Sequence, residues 1–254
     1  LMAPYLDDVD FAPLREINME RQLSDDALEM LADLPRLAGS NAWAVGPRRT
    51  ASGLPLLASD PHLEVNRLPA IWYEVVLNWG EGKYAMGATL PGCPLLAVGR
   101  TAKLSWGVTY LHADTSDYFV EDCRRAEEGT WQYRRGDQWL DFDVREEEIL
   151  RKSAKPELLK VYENPQGTMR MDLTGREPGK YLSAKWIGSE AGAGRSLGCW
   201  LDVIKSQTTR EAMDVVRGNP HPTLVWVFAD DQGHIGRQAS GWLPIRGENE
   251  LGLL

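Results

Sequence analysis

Gly39-Ser40 leads into Asn41-Ala42-Trp43-Ala44-Val45, so a serine directly follows a glycine and opens an apolar, strand-like run. Cutting the Gly39–Ser40 bond would give Ser40 a free α-amino group beside its own hydroxyl. An α-amine titrates near pH ~8, so part of it is neutral at physiological pH and able to accept a proton. Nucleophile and base would then sit on one residue, which is one way to activate a serine for acyl transfer. Taken alone, Gly-Ser is also an ordinary turn dipeptide.

The sequence downstream favours chemistry. After Gly39–Val45 come Thr50-Ala51-Ser52-Gly53-Leu54-Pro55-Leu56-Leu57-Ala58-Ser59-Asp60-Pro61-His62-Leu63 and Leu68-Pro69-Ala70-Ile71-Trp72-Tyr73-Glu74-Val75. Met86-Gly87-Ala88-Thr89-Leu90-Pro91-Gly92 and Leu104-Ser105-Trp106-Gly107-Val108-Thr109 follow, then Val227–Gly236 and Gly241-Trp242-Leu243-Pro244-Ile245-Arg246. In order and spacing over residues 39–246 these blocks resemble the penicillin acylase family of N-terminal nucleophile hydrolases.

The resemblance implies roles for particular residues. Ser40 would be the nucleophile and Gly39–Ser40 the self-processed bond. His62, in Asp60-Pro61-His62-Leu63, matches a polar position beside the nucleophile that orients the α-amine region. The backbone N–H of Tyr110 would be one oxyanion donor. The second donor, an asparagine side chain, is expected beyond Leu254. Asp114, Ser116 (through its carbonyl) and Asp117 match contributors to a structural calcium site, and hard oxygen ligands suit that ion. Further calcium ligands are expected outside this chain, and no organic cofactor is implied.

Two other patterns carry weaker chemistry. Gly194-Arg195-Ser196-Leu197-Gly198 has the form of a nucleophile elbow, with Asp214 and His221 following in the order that an α/β-hydrolase requires. The elbow needs a buried strand just before it, and Ser189-Glu190-Ala191-Gly192-Ala193 reads as loop. His62-x-Glu64 lacks the Pro-Cys-x-x-Cys partner of a zinc deaminase.

The elements that must position Ser40 are mostly strands. Asn41–Gly46 and Leu54–Ala58 flank Ser52-Gly53 and predict a hairpin. Further strands are expected over Ile71–Trp79, Leu95–Gly99, Leu104–Tyr110 and Tyr118–Asp122, all rich in Val, Tyr and Trp. Residues 124–180, with charged stretches such as Arg145–Glu148, read as exposed strands and loops. Thr208-x-x-Glu211 is a capping box opening a helix that ends at Gly218. Leu224–Ala229 and Ile235–Ser240 predict a second hairpin around Asp231-Gln232-Gly233. Ahead of Ser40, Ser24-Asp25-Asp26 caps a short helix ending before Pro35.

Composition narrows the partners. The chain has 254 residues, 43% of them hydrophobic, which is enough for one large domain or two small ones. The formal charge of −9 argues against nucleic acid as a partner, because phosphate binding needs a basic face. No apolar run reaches the ~20 residues of a membrane helix. The 10 tryptophans are spread along the chain and read as core anchors. Cys93, Cys123 and Cys199 form no Cys-x-x-Cys pair; one disulfide with a free thiol and three thiols both fit.

The expected fold is the α+β, αββα sandwich of the N-terminal nucleophile hydrolases, present in part as a β-rich fragment. Residues 1–39 would be the end of an α-chain or spacer, and residues 40–254 the start of a β-chain beginning at the nucleophile. The implied activity is hydrolysis of a linear amide, such as a β-lactam side chain or an acyl-homoserine lactone, through an acyl-serine. The partners would be that small-molecule substrate and the remaining α- and β-chain segments, in a periplasmic or secreted enzyme. The fragment alone is expected to be inactive. The alternatives are a non-catalytic β-rich binding module of the same descent, or a hydrolase using Ser196.

Overall fold

The structure, a computed structural model, describes residues 39–63 and 71–246. The helix expected after Ser24 and the Leu68–Ala70 part of the third block lie outside the described residues. The described chain forms two compact units: residues 39–115 with 187–244, and residues 116–186 with 245–246.

The first unit carries Ser40 and is layered. Strands β1 (Ser40–Val45) and β2 (Leu56–Pro61) form a two-stranded antiparallel sheet in which Ser40 faces Pro61 and Val45 faces Leu56. A second sheet contains β3 (Tyr73–Gly80), β4 (Lys83–Thr89), β5 (Val98–Thr101), β6 (Leu104–Tyr110), β14 (Leu224–Asp230) and β15 (Ile235–Ser240). Its spatial order is β15-β14-β6-β5-β4-β3, antiparallel throughout. Helices α1 (Ile187–Ala191), α2 (Ala193–Lys205) and α3 (Thr209–Arg217) complete the unit.

Strand alternation sorts the residues between these layers. Leu104, Trp106 and Val108 of β6 and Leu224, Trp226 and Phe228 of β14 meet Trp200 and Val203 of α2 and Ala212 and Val216 of α3 in one core. Trp226 lies 4.3 Å from Trp200 and stacks on Phe228. Full burial of Phe228 and Leu104 contributes about 1.5–3 kcal/mol apiece. The intervening positions of β6 face the β1–β2 sheet. There, a Cβ on Gly107 would lie 2.5 Å from Ser59 Cβ, so glycine is what lets β2 approach β6 this closely. Helices over a sheet over a second sheet agree with the partial α+β sandwich that was expected.

The helix after Thr208 forms as expected. Thr208 Oγ1 accepts from Glu211 N–H, and the Glu211 carboxylate takes the N–H of Gln207, one residue earlier than in a standard capping box. Both hairpins form, and β6 spans the residues expected of it. Three strands or α-helices of this unit escaped the sequence reading. Strand β4 is the first; helix α1 is the second, covering Ser189–Ala191 of a stretch expected to be loop; helix α2 is the third, because Gly194 and Gly198 lower its helix propensity by about 1 kcal/mol each and mask the apolar spacing of Leu197, Trp200, Leu201 and Ile204. The strand expected from Leu95 starts only at Val98. Residues Leu90–Cys93 form a turn with Pro91 and Gly92 (φ 85°) at its centre and Cys93 N–H donating to Leu90 C=O, the pattern of a type II turn.

The second unit corrects the reading of residues 124–180. A seven-stranded antiparallel sheet contains β7 (Ser116–Arg125), β8 (Trp131–Arg135), β9 (Gln138–Asp141), β10 (Asp143–Ile149), β11 (Glu157–Asn164), β12 (Gly167–Met169) and β13 (Gly179–Trp186), ordered β10-β11-β12-β13-β7-β8-β9. These strands are not all exposed. Cys123, Trp131, Tyr133, Phe142, Tyr162, Leu173 and Tyr181 form a core of their own on one face. Many of the charges that obscured it lie along the fully exposed edge strand β10, where they discourage pairing with another chain, while Arg135 pairs with the buried Glu121.

Candidate active site

Ser40 is the first residue of β1 and Gly39 precedes the strand, so the bond between them sits where the hairpin ends meet. The opposite hairpin end brings Pro61 level with Ser40, and the chain then turns His62 back across Gly39. The Gly39 carbonyl oxygen accepts two hydrogen bonds, from the backbone N–H of His62 at 3.2 Å and from its neighbour's hydroxyl, Ser40 Oγ, at 2.7 Å. Serine oxygen and carbonyl are thus side by side in a half-buried setting.

His62 contributes its ring as well. Nε2 lies 2.9 Å from Asp60 Oδ2, so with Asp60 accepting, the proton is assigned to Nε2 and Nδ1 is left as the acceptor. Nδ1 faces Gly39: a Cβ built on that glycine would lie 3.0 Å from it. Asn41 Nδ2 stands 3.3 Å from the same Nε2 and competes for the opposite tautomer. Sequence reasoning singled out Ser40 and His62 but missed Asn41 and Asp60, which orient the ring. Their signal was adjacency, each lying one or two residues from a named position.

Tyr110 ends β6 and lines the same cavity as Ser40, a space of about 210 Å³ whose other walls include Leu63, Trp72, Leu95, Val108 and Leu224. Its backbone N–H is oriented by the register. Leu111 N–H donates to Thr223 C=O at 3.1 Å, and Tyr110 is paired with Leu224. Hydrogen-bonded and non-hydrogen-bonded pairs alternate in an antiparallel ladder, so the Tyr110 N–H points away from β14. It points to the side of β5, past the last β5–β6 pair, Gly99–Trp106. The Tyr110 side chain is exposed and plays no part in this geometry.

A larger apolar cleft, about 600 Å³, does not include Ser40 and carries no chemistry of its own. The cavity at Ser40 is the one that brings a serine hydroxyl together with the end of β6 at Tyr110.

Of the residues expected to contribute to a calcium site, Asp117 has a carboxylate that is engaged within its own unit. Asp117 Oδ1 accepts from Arg246 Nε at 2.8 Å, which occupies a carboxylate the ion would need. Asp114 belongs to the first unit and Ser116 and Asp117 to the second. Among the described residues no group of three His, Cys, Asp or Glu side chains is arranged to hold a metal ion. The elbow reading fails outright. Ser196 is the fourth residue of α2, inside the helix, whereas an elbow serine must stand on a sharp turn after a strand. Also among the described residues, no helix is long and apolar enough to cross a membrane.

Comparison with known proteins places this geometry in context. A family model described as penicillin amidase matches residues 3–254. Acyl-homoserine lactone acylase QuiP of Pseudomonas aeruginosa is 32% identical over 240 residues, covering 90% of this chain and 27% of its own. Penicillin G acylase of Escherichia coli is 25% identical over 212 residues, covering 82% of this chain and 24% of its own. The chain therefore spans about a quarter of the length of these curated relatives. Among solved structures, a thermostable penicillin G acylase from Alcaligenes faecalis superposes with a TM-score of 0.69 at 24% identity, over 82% of this chain and 36% of that one.

Proposed function

The chain belongs to the penicillin amidase family, and from that premise we propose that it carries the nucleophile of a linear-amide hydrolase that processes itself between Gly39 and Ser40. The observation that carries the proposal is the Gly39 carbonyl, held by His62 N–H and Ser40 Oγ at the mouth of a cavity that also contains Tyr110.

Processing follows from that contact. Ser40 Oγ attacks the Gly39 carbonyl carbon, and the oxyanion that forms is met by the His62 N–H. The C–N bond breaks as the Ser40 nitrogen takes the proton that Oγ gives up, leaving Gly39 esterified to Oγ, and water releases the ester as the Gly39 carboxylate. The freed α-amine then accepts the Oγ proton when Ser40 attacks a substrate amide. Tyr110 N–H faces the new oxyanion, the substrate nitrogen leaves protonated as an amine, and water hydrolyses the acyl-serine. His62, fixed by Asp60, orients the amine region. The apolar cavity takes the acyl group, in keeping with relatives whose names specify acyl-homoserine lactone and penicillin G.

The second oxyanion donor expected beyond Leu254 would come from the rest of the polypeptide. One missing donor costs about 10²–10³ in rate, so the 254-residue chain alone should be all but inactive. A periplasmic or secreted location belongs to the same proposal. Calcium at Asp114, Ser116 and Asp117 would need ligands from outside the described residues and release of Asp117 from Arg246, and no step above depends on it.

Intact-mass measurement tests the reading. Cleavage gives pieces that end at Gly39 and begin at Ser40, and Ser40→Ala abolishes the split. A complete polypeptide that remains in one piece, or one that is cut equally well with alanine at position 40, overturns it.

A further inference from the structure

Between α3 and β14 the chain runs through Gly218-Asn219-Pro220-His221-Pro222-Thr223, a short connection held from three sides. Asn219 N–H donates to Val216 C=O at 3.0 Å, at the end of α3. Trp242 N–H, just past β15, donates to Pro220 C=O at 2.8 Å. Leu111 N–H, just past β6, donates to Thr223 C=O at 3.1 Å. A Cβ on Gly241 would fall 2.4 Å from Thr223 Cγ2, so glycine there lets the end of β15 lie directly against Thr223.

Asn219 ties the connection together from inside. Its side chain is wholly buried, and Nδ2 donates to Pro222 C=O at 3.0 Å and to Ser240 Oγ at 3.3 Å. A carbonyl can only accept, which assigns the amide nitrogen to that side. Ser240 Oγ also accepts from Trp226 Nε1 at 2.9 Å. Asn219 Oδ1 has no partner among the described residues, and a buried oxygen left unpaired costs stability. An apolar side chain would pack there without that cost, so packing alone does not account for the amide.

We infer that Asn219 is a positioning residue for the oxyanion donor at Tyr110, acting through the Pro222–Thr223 peptide. This rests on the proposed role of the Tyr110 N–H. A peptide group is planar, so a hydrogen bond on Pro222 C=O fixes the plane from which Thr223 continues. Thr223 C=O is thereby aimed at Leu111 N–H, and the end of β6 is clamped one residue past Tyr110. Asn219 does not line the Ser40 cavity, so its influence runs through the backbone. A donor displaced by about 1 Å can forfeit about a hundredfold in rate, which makes a distant clamp matter.

The test uses the complete polypeptide and separates two reactions that draw on different donors. Self-processing uses the His62 N–H, whereas hydrolysis of hexanoyl p-nitroanilide by the processed protein uses the Tyr110 N–H. Asn219→Ala should lower kcat about tenfold to a hundredfold, while processing, followed by intact mass, keeps its rate and reports a folded protein. Asn219→Leu restores volume but not the donor, and should lose as much. Ser240→Ala is the structural control: it removes a partner of both Asn219 and Trp226, so it should lower the urea midpoint and leave kcat nearly unchanged. Deuterium uptake needs no turnover. The Leu111 amide should exchange about tenfold faster in Asn219→Ala, with amides deeper in β6 unaltered. An unaltered kcat, recovery by leucine, equal slowing of processing and hydrolysis, or unchanged Leu111 exchange overturns the inference. A wild-type polypeptide that never processes itself sinks the hydrolase reading instead, and the clamp then stands or falls on Leu111 exchange alone.

Discussion

The backbone N–H of His62 donates to the carbonyl oxygen of Gly39 at 3.2 Å, so the bond proposed for cleavage is already polarised by the residue whose ring faces it. Backbone and ring can be separated experimentally. His62→Ala keeps the N–H and should slow processing about tenfold, through loss of orientation. His62→Pro removes the N–H and should cost a further ~100-fold, the scale of one oxyanion donor. Mass spectrometry of timed samples reads both rates, and equal rates for the two variants would remove the backbone donor from the mechanism.

Gly107 and Ser59 define how closely the two sheets approach. Gly107→Ala puts a methyl 2.5 Å from Ser59 Cβ and 2.7 Å from its Oγ, so β2 must shift away from β6. The expected cost is about 1–3 kcal/mol, seen as a lower urea midpoint together with slower processing. Ser59→Gly in the same chain should recover most of both.

Ser59→Ala alone should be neutral or mildly stabilising. Ser59 Oγ is buried with no hydrogen-bond partner among the described residues, so its removal relieves a desolvated hydroxyl. A loss above about 1 kcal/mol in denaturant titration would show that the hydroxyl has a partner.

Two carboxylates tie stability to acid pH. Burial by itself would raise the Glu121 carboxyl, but hydrogen bonds from Arg135, Asn164 and Ser183 outweigh it and hold it below the ordinary value. Asp230 is likewise opposed by burial but lowered overall, by the N–H groups of Thr209 and His234. A depressed folded pKa gives stability that is fully present above the unfolded value, near ~4, and is lost as pH falls through the folded value. Thermal melts should therefore weaken below pH ~4. Glu121→Gln should be less stable at pH 7, because Arg135 loses its buried anion, and should lose less on acidification. A wild-type melting temperature that is flat from pH 7 to pH 3 contradicts this account.

The three cysteines should react in order. Cys93 is exposed, Cys199 is half-buried with its thiol pushed up by burial, and Cys123 is buried with its thiol pushed up to about 12. Thiolate is the reactive form, so iodoacetamide at pH 8 should label Cys93 first and Cys123 only after unfolding. Peptide mapping that finds early label on Cys123 would refute its burial.

Much of this was legible in the sequence. Gly39-Ser40 at the head of a strand, the hairpin around Ser52-Gly53, the β6 strand ending at Tyr110 and the Thr208 cap are all local patterns, and local patterns are what one chain displays. Helix α2 was hidden because Gly194 and Gly198 sit within an otherwise well-spaced apolar stripe. The aromatic core of the second unit was hidden because period-two alternation looks polar when its outward face is densely charged.

The sequence by itself determined which groups are available: a serine directly after a glycine at the head of a strand, a histidine two residues past Asp60, and a glycine at 107. Tertiary structure alone decided that His62 N–H reaches Gly39 and that the Tyr110 N–H points away from β14. Those facts depend on strand register and on the distance between sheets, which are set by contacts between residues far apart in the chain. No local pattern encodes them.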